Sequence, residues 1–250
     1  MTRWIKRIAS LFPAELVGFI EYHVHPRLVD VNGGGFNGQC FRQLIFIDLL
    51  RTCRFEAIVE TGTFRGATTA FMARNAPKIS IFSSELNRRY MTAAKRRLRG
   101  FQDVHLFRED SRRLLRRVDT RLRTFFYLDA HWYNDLPLRE ETEYIFSSFR
   151  QFVVMIDDFE VPGDPGYTHD DYGPDKNLSL RNFSFQHDSR VSVYFPNRPS
   201  SAESESKRGC VVLASPELAH AVDQVPGLSR FAPEIPAQQL HLEPRVNARR

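Results

Sequence analysis

Six acidic residues, Glu60, Glu85, Asp110, Asp129, Asp157 and Asp158, stand at or just beyond the ends of short apolar runs. Carboxylates in such places do two kinds of chemistry. They accept hydrogen bonds from the hydroxyls and amines of a nucleoside, or they gather round a cation. Asp129, Asp157 and Asp158 suit the second. Three carboxylates at adjacent strand ends repel one another unless a positive charge sits between them. Mg²⁺ fits, because it prefers oxygen ligands and keeps waters that a substrate oxygen can replace. A cation there lowers the pKa of a hydroxyl bound to it. The competing reading needs no metal and has Asp158 cap the turn after its strand. His131 lies two residues beyond Asp129. An imidazole titrates near neutrality and suits a general base for a hydroxyl proton. It equally suits a metal ligand or a structural hydrogen bond beside Trp132. Asp129 and His131 are thus the candidate catalytic pair.

The first of the acids sits inside residues 58–68, IVETGTFRGAT. Apolar residues lead into Glu60, two glycines follow, and then a helix-like run. Glycines serve where a turn takes unusual dihedrals and where backbone must approach a ligand closely. Glu60, Thr61, Gly62, Thr63 and Gly66 are therefore candidate cofactor-binding residues, with Glu60 placed to face an ammonium group through water. Glu85, one strand–helix unit later, is placed to accept both hydroxyls of a ribose. The alternative is a helix cap beside Ser84 and Asn87. Asp110 and Ser111 either meet an adenine amino group or cap the next helix, and the two roles are compatible.

These residues need a frame that collects strand ends on one edge. Short, almost continuously apolar runs predict strands over 56–60, 80–84, 104–107, 124–128 and 152–156. Such runs belong to a sheet covered on both faces. Helical stretches over 67–75, 88–98, 111–118 and 138–149 alternate with them, which implies right-handed crossovers and a parallel sheet. Ligands then bind beyond the carboxyl ends of the strands, where the acids stand. Residues 160–178 read as a long loop over one end of the sheet. Tyr167, His169, Asp170, Asp171 and Tyr172 in it are candidate substrate contacts, and a solvated connection is the alternative. Strands over 191–195 and 210–213 have no helical pattern between them and read as an antiparallel hairpin. The expected fold is α/β, with a seven-stranded, mostly parallel Rossmann-like sheet ending in that hairpin. Residues 1–54 are expected to form a helical cap or oligomer contact, with 32–38 (NGGGFNG) a flexible turn. Residues 55–232 form the main domain, and 233–250 an irregular tail.

VETGTFRGAT, Asp129 after the fourth strand and the IDD of residues 156–158 together resemble the macrocin O-methyltransferase-like branch of the class I methyltransferases. That branch has a similar E-T-G-x-x-R-G turn, so Phe64 at the usual middle glycine is in keeping. The resemblance covers residues 55–160. It implies S-adenosylmethionine as methyl donor, Mg²⁺ as cofactor, and a sugar or other small-molecule hydroxyl as acceptor. One departure stands out: the branch often reads D-G-D where this chain reads Asp129-Ala130-His131. The stretch YLDAHWYND is also similar to the L-D-H-W of catechol-type methyltransferases, where the first acid binds metal. That implies the role for Asp129.

Composition bounds the alternatives. The chain has 250 residues, 42% of them hydrophobic and 26% charged, as in an ordinary globular protein. No apolar run is long enough to span a bilayer. The N-terminal stretch joins basic and apolar residues in an amphipathic pattern suited at most to resting on a membrane surface. The net charge of +5 comes largely from arginines at 88–99 and 112–123. These read as solvated helix faces, and no nucleic-acid partner is expected, since no binding module accompanies them. Three widely spaced cysteines offer no metal or redox pair, which fits a cytoplasmic protein. Two other readings compete: an NAD(P)-dependent oxidoreductase, and a non-catalytic scaffold in a biosynthetic complex. A homodimer would use the N-terminal helices.

Overall fold

The computed structural model describes residues 12–24, 33–131 and 135–232. The expectations for residues 1–11, Asn32, Trp132 and the tail 233–250 lie outside the described residues. Among the described residues, helices α1 (Ala14–Val24) and α2 (Cys40–Cys53) precede the sheet. The apolar runs then form β1 (Ala57–Thr61), β2 (Ser80–Ser84), β3 (Val104–Phe107), β4 (Thr124–Leu128) and β5 (Phe152–Asp157), all paired in parallel. Between them run α3 (Ala67–Asn75), α4 (Arg88–Leu98), α5 (Ser111–Leu115) and α6 (Leu138–Ser148).

After β5 the chain makes the short helix α7 (Leu180–Phe183), then β6 (Ser192–Pro196) and β7 (Cys210–Ala214). β7 returns antiparallel between β5 and β6. A further helix α8 (Pro216–Val222) leads to β8 (Leu228–Arg230), which pairs with β6. Among the described residues the sheet therefore has eight strands, in the order β3-β2-β1-β4-β5-β7-β6-β8, rather than seven. β8 is only three residues long, too short for a periodicity to mark it. The antiparallel β7 separates this order from the 3-2-1-4-5-6 arrangement of dinucleotide-binding folds.

Alternation along each strand divides the core in two. Ile58, Phe125, Tyr127, Val153, Met155 and Val212 face α2 and α8. Val59, Phe126, Leu128, Val154, Ile156 and Leu213 face α5 and α6. Each such side chain, fully buried, contributes about 1.5–3 kcal/mol. Cys53 and Cys210 lie in the first of these layers as free thiols.

The glycine-rich segment before α2 is a packed plug and not a flexible turn. Phe36 is completely buried against Phe46, Phe71 and Tyr127. A Cβ on Gly35 would lie 2.5 Å from Cβ of Phe71, so no larger residue fits. At the other side of the molecule α1 packs along α4. Gly18 makes this possible, since a Cβ there would lie 2.3 Å from the Arg89 carbonyl oxygen. Glu21 of α1 is buried between Arg65 and Arg89. Burial alone would raise its carboxyl, but the two guanidiniums outweigh that and hold it below its ordinary value.

Candidate active site

The glycine turn is stitched to both neighbouring strands. The amides of Gly62 and Thr63 donate to the Ser84 carbonyl at 3.1 and 2.9 Å, and the Asp129 amide donates to Thr61 O at 3.0 Å. Gly62 has φ +86°, and a Cβ on it would lie 2.3 Å from the Asp129 carbonyl oxygen. Only glycine permits this approach. Gly66, at φ +76°, caps α3 against Leu98 and Ala94. Phe64 holds φ +50°, the left-handed conformation a glycine adopts freely. Its ring packs against Tyr90 with the two planes tilted by 60°, and the Arg65 guanidinium lies over both rings.

Around this turn the structure places the predicted donor-side residues as follows. Glu60 is buried beneath it, accepting from the hydroxyls of Thr69 and Ser83. Ser83 in turn meets Thr63 at 2.5 Å. Burial pushes the Glu60 carboxyl up to about 7, against the pull of those two hydroxyls and with a contribution from Glu85. Glu85 accepts from the Phe64 amide at 2.9 Å and the Asn87 amide at 2.7 Å. It thus braces the glycine turn against the start of α4, where Asn87 is the cap. A carboxylate has about four acceptor positions, so two remain open. Asp110 caps α5 and is ion-paired with Arg112 at 2.7 Å. The buried Ser111 stands beside Glu141 of α6, a wholly buried acid that no sequence pattern singled out.

Of the three aspartates expected to share a cation, the structure brings two together and turns the third away. Asp129, His131 and Asp158 each offer a ligand atom, all within 4.8 Å of one another. Burial, and then the charges of Asp158 and Glu60, push the Asp129 carboxyl well above the usual range. Burial likewise lowers the His131 imidazole and keeps it neutral. Its Nε2 is buried and has no hydrogen-bond partner among the described residues. Asp157 occupies the other face. It pairs with buried Arg42 and accepts from Asn37 at 2.9 Å, Tyr127 at 2.6 Å and the Asp158 amide at 2.9 Å. Its oxygens are spent on this network. The reason is strand alternation: Asp157 follows Val153 and Met155 onto the α2 face. Asp158 escapes that register because the chain turns at it, with φ +55°.

The loop over 160–178 is tied down to this cluster. The Asp170 amide donates to Asp158 O at 2.9 Å, and the Tyr172 hydroxyl donates to His131 O at 3.1 Å. Tyr172 also bonds Asp170. His169 meets Asn177, Asp171 holds the Gly173 amide, and buried Tyr167 reaches Arg198 O. Arg208, just before β7, bridges Asp158 and Asp170. Sequence spacing carries no signal for Arg208 or Arg42, because each comes from an element remote in the chain.

No protein-family profile matches the chain, and no curated protein sequence matches it. Solved structures do. The Streptomyces achromogenes O-methyltransferase TomG, solved with S-adenosylmethionine, is 20% identical with TM-score 0.55, over 86% of this chain and 99% of that one. The Bacillus cereus O-methyltransferase, solved with S-adenosylhomocysteine, is 18% identical with TM-score 0.52, over 70% and 80%. The Podospora anserina methyltransferase PaMTH1, also bound to S-adenosylhomocysteine, is 13% identical with TM-score 0.53, over 84% and 94%. The chain has the fold of these class I methyltransferases. At such identities the likeness is one of fold and carries no assignment to the macrocin-like branch.

Proposed function

We propose that the protein is an S-adenosylmethionine-dependent O-methyltransferase acting on a small-molecule or sugar hydroxyl. One observation carries the reading. The glycine turn and the acid–imidazole cluster touch, with Gly62 directly against the Asp129 backbone. A donor held on the turn would lie beside groups able to handle a hydroxyl proton. On this reading Glu85 accepts the ribose hydroxyls, and Asp110 and Ser111 border the adenine. The backbone of residues 61–63 lines the methionine end.

Asp129 and Asp158 would hold Mg²⁺, and the buried, unpartnered Nε2 of His131 beside them fits a polar guest. Mg²⁺ is commonly held by one or two carboxylates plus waters, whereas imidazole suits other metals better. We therefore assign the cation to the aspartates and the proton to His131. Bound there, the metal would orient the acceptor hydroxyl and lower its pKa. His131, kept neutral by burial, takes the hydroxyl proton as the acceptor oxygen bonds to the methyl carbon. The S–CH₃ bond breaks, and S-adenosylhomocysteine leaves. The sulfonium methyl is already activated, so alignment supplies most of the remaining barrier reduction. The loop held by Tyr172 and Asp170 would exclude water from the acceptor.

Calorimetric titration with S-adenosylhomocysteine, with and without Mg²⁺, tests this. Micromolar binding that weakens at least tenfold in Glu85→Ala supports it, a loss of about 1.4 kcal/mol or more. A folded protein that binds no S-adenosylhomocysteine at high concentration sinks it.

A further inference from the structure

The outer face of α1 is built the wrong way round for a helix that ends at solvent. Its inward face carries Val17, Gly18 and the charged Glu21. Its outward face carries Phe12, Leu16, Phe19 and Ile20, between 39% and 52% exposed. Phe12 lies just ahead of the helix, and the spacing i, i+4, i+7, i+8 puts all four on one stripe. An amphipathic surface helix normally buries that stripe and turns its charge outward. The inward charge is locked in place by Arg65 and Arg89, so the packing itself holds the stripe outward.

The chemistry alongside the stripe selects its partner. α4, on which α1 lies, reads RRYMTAAKRRL, with five basic residues and no acid. Arg96 sits over the Phe19 ring at 4.0 Å, and Arg88 reaches Glu15 at 3.4 Å. Lys95 and Arg99 are exposed. Glu15 is the acid on the outward side of α1 among the described residues, and it is paired. The sequence before the helix adds Arg3, Trp4, Lys6 and Arg7. A second copy of the chain is a poor occupant, because a twofold contact through the stripe would bring a second arginine row up against the first. An anionic lipid surface answers both features: acyl chains for the Phe–Leu–Ile stripe and lipid phosphates for the flanking cations.

We infer that α1, with the basic edge of α4, docks the protein peripherally on anionic membranes through Phe12, Leu16, Phe19 and Ile20. The binding is interfacial: among the described residues no helix is long and apolar enough to cross a bilayer. α1 is fastened to the glycine turn through the Arg65–Glu21 pair, so docking fixes the orientation of that turn relative to the lipid. The inference does not depend on the reaction assigned to the site.

Sedimentation of the full chain with phosphatidylcholine vesicles, with and without about a third phosphatidylglycerol, tests it. The expected result is capture by the anionic vesicles at low salt, about tenfold weaker or more on phosphatidylcholine alone and reversed by added salt. Phe19→Ser/Ile20→Ser should abolish capture while the thermal midpoint stays unchanged. Leu16→Gln is the milder variant should that pair unfold. Lys95→Gln and Arg99→Gln should each weaken capture about fivefold. Absence of capture, or capture unaltered by the stripe variants, overturns the inference. So does a concentration-dependent dimer in ultracentrifugation that the stripe variants dissolve, which would make the stripe a self-association face.

Discussion

Replacing Glu141 by glutamine should spare the protein a loss of about 2–3 kcal/mol of stability between pH 5 and pH 8. Glu141 is wholly buried on α6, and its Oε1 has no hydrogen-bond partner among the described residues. Burial pushes its carboxyl from an ordinary 4.5 up to about 7, although the hydroxyls of Ser111 and Thr61 partly offset this. A folded-state pKa above the unfolded one means the native protein binds the proton more tightly. The associated stability is complete below the unfolded value and is lost as pH rises through 7. Linkage puts the cost of Glu141 at about 3 kcal/mol at pH 8 and about 1 kcal/mol at pH 5. The glutamine side chain is nearly isosteric and does not titrate. Wild type should therefore lose about 2–3 kcal/mol relative to Glu141→Gln between those pH values. For a chain of this size that is about 5–10 °C in the difference between their thermal midpoints. Parallel midpoint-versus-pH curves for the two proteins would refute the reasoning, since they would mean that Glu141 titrates alike folded and unfolded.

Asp157→Asn should cost about 3–5 kcal/mol in urea unfolding by leaving Arg42 buried without its counter-charge, and any folded fraction should still give a Mg²⁺ heat. Asp129→Asn should do the reverse, losing the Mg²⁺ heat at little cost in stability; a retained heat would remove Asp129 from the cation site. Gly62→Ala combines a positive φ with a clash against the Asp129 carbonyl, so it should lower stability by more than about 1 kcal/mol and abolish S-adenosylhomocysteine binding in calorimetry. Tyr172→Phe removes the loop's bond to His131 O together with its internal bond to Asp170, and should speed limited proteolysis within residues 160–178; an unchanged cleavage rate would mean the loop is held elsewhere.

Much of the frame is written locally. The five parallel strands are legible because each is a short apolar run, and their ends because an acid or glycine follows. The glycine turn is legible for the same reason: Gly62 and Gly66 both hold the positive φ that two glycines at that spacing suggest. The contact between β7 and β5 is only half legible. The pattern indicates a hairpin, while its insertion order and the three-residue β8 depend on pairings made across the sheet.

The site divides along the same line. That acids collect at one edge of the sheet follows from the chain's local pattern, since strand ends and crossover direction decide it. Which acids face each other depends on packing between distant segments. Asp157 and Asp158 are neighbours in sequence and look equivalent. The pleat sends the first to Arg42, and the positive φ of the second sends it to Asp129 and His131. Arg208 reaches Asp158 and Asp170 from 50 and 38 residues later in the chain, and α1 reaches Arg65 from before the domain begins. Charge balance in a buried site depends on such distant partners, because a low-dielectric interior couples whatever the fold brings within a few ångströms, regardless of separation along the chain.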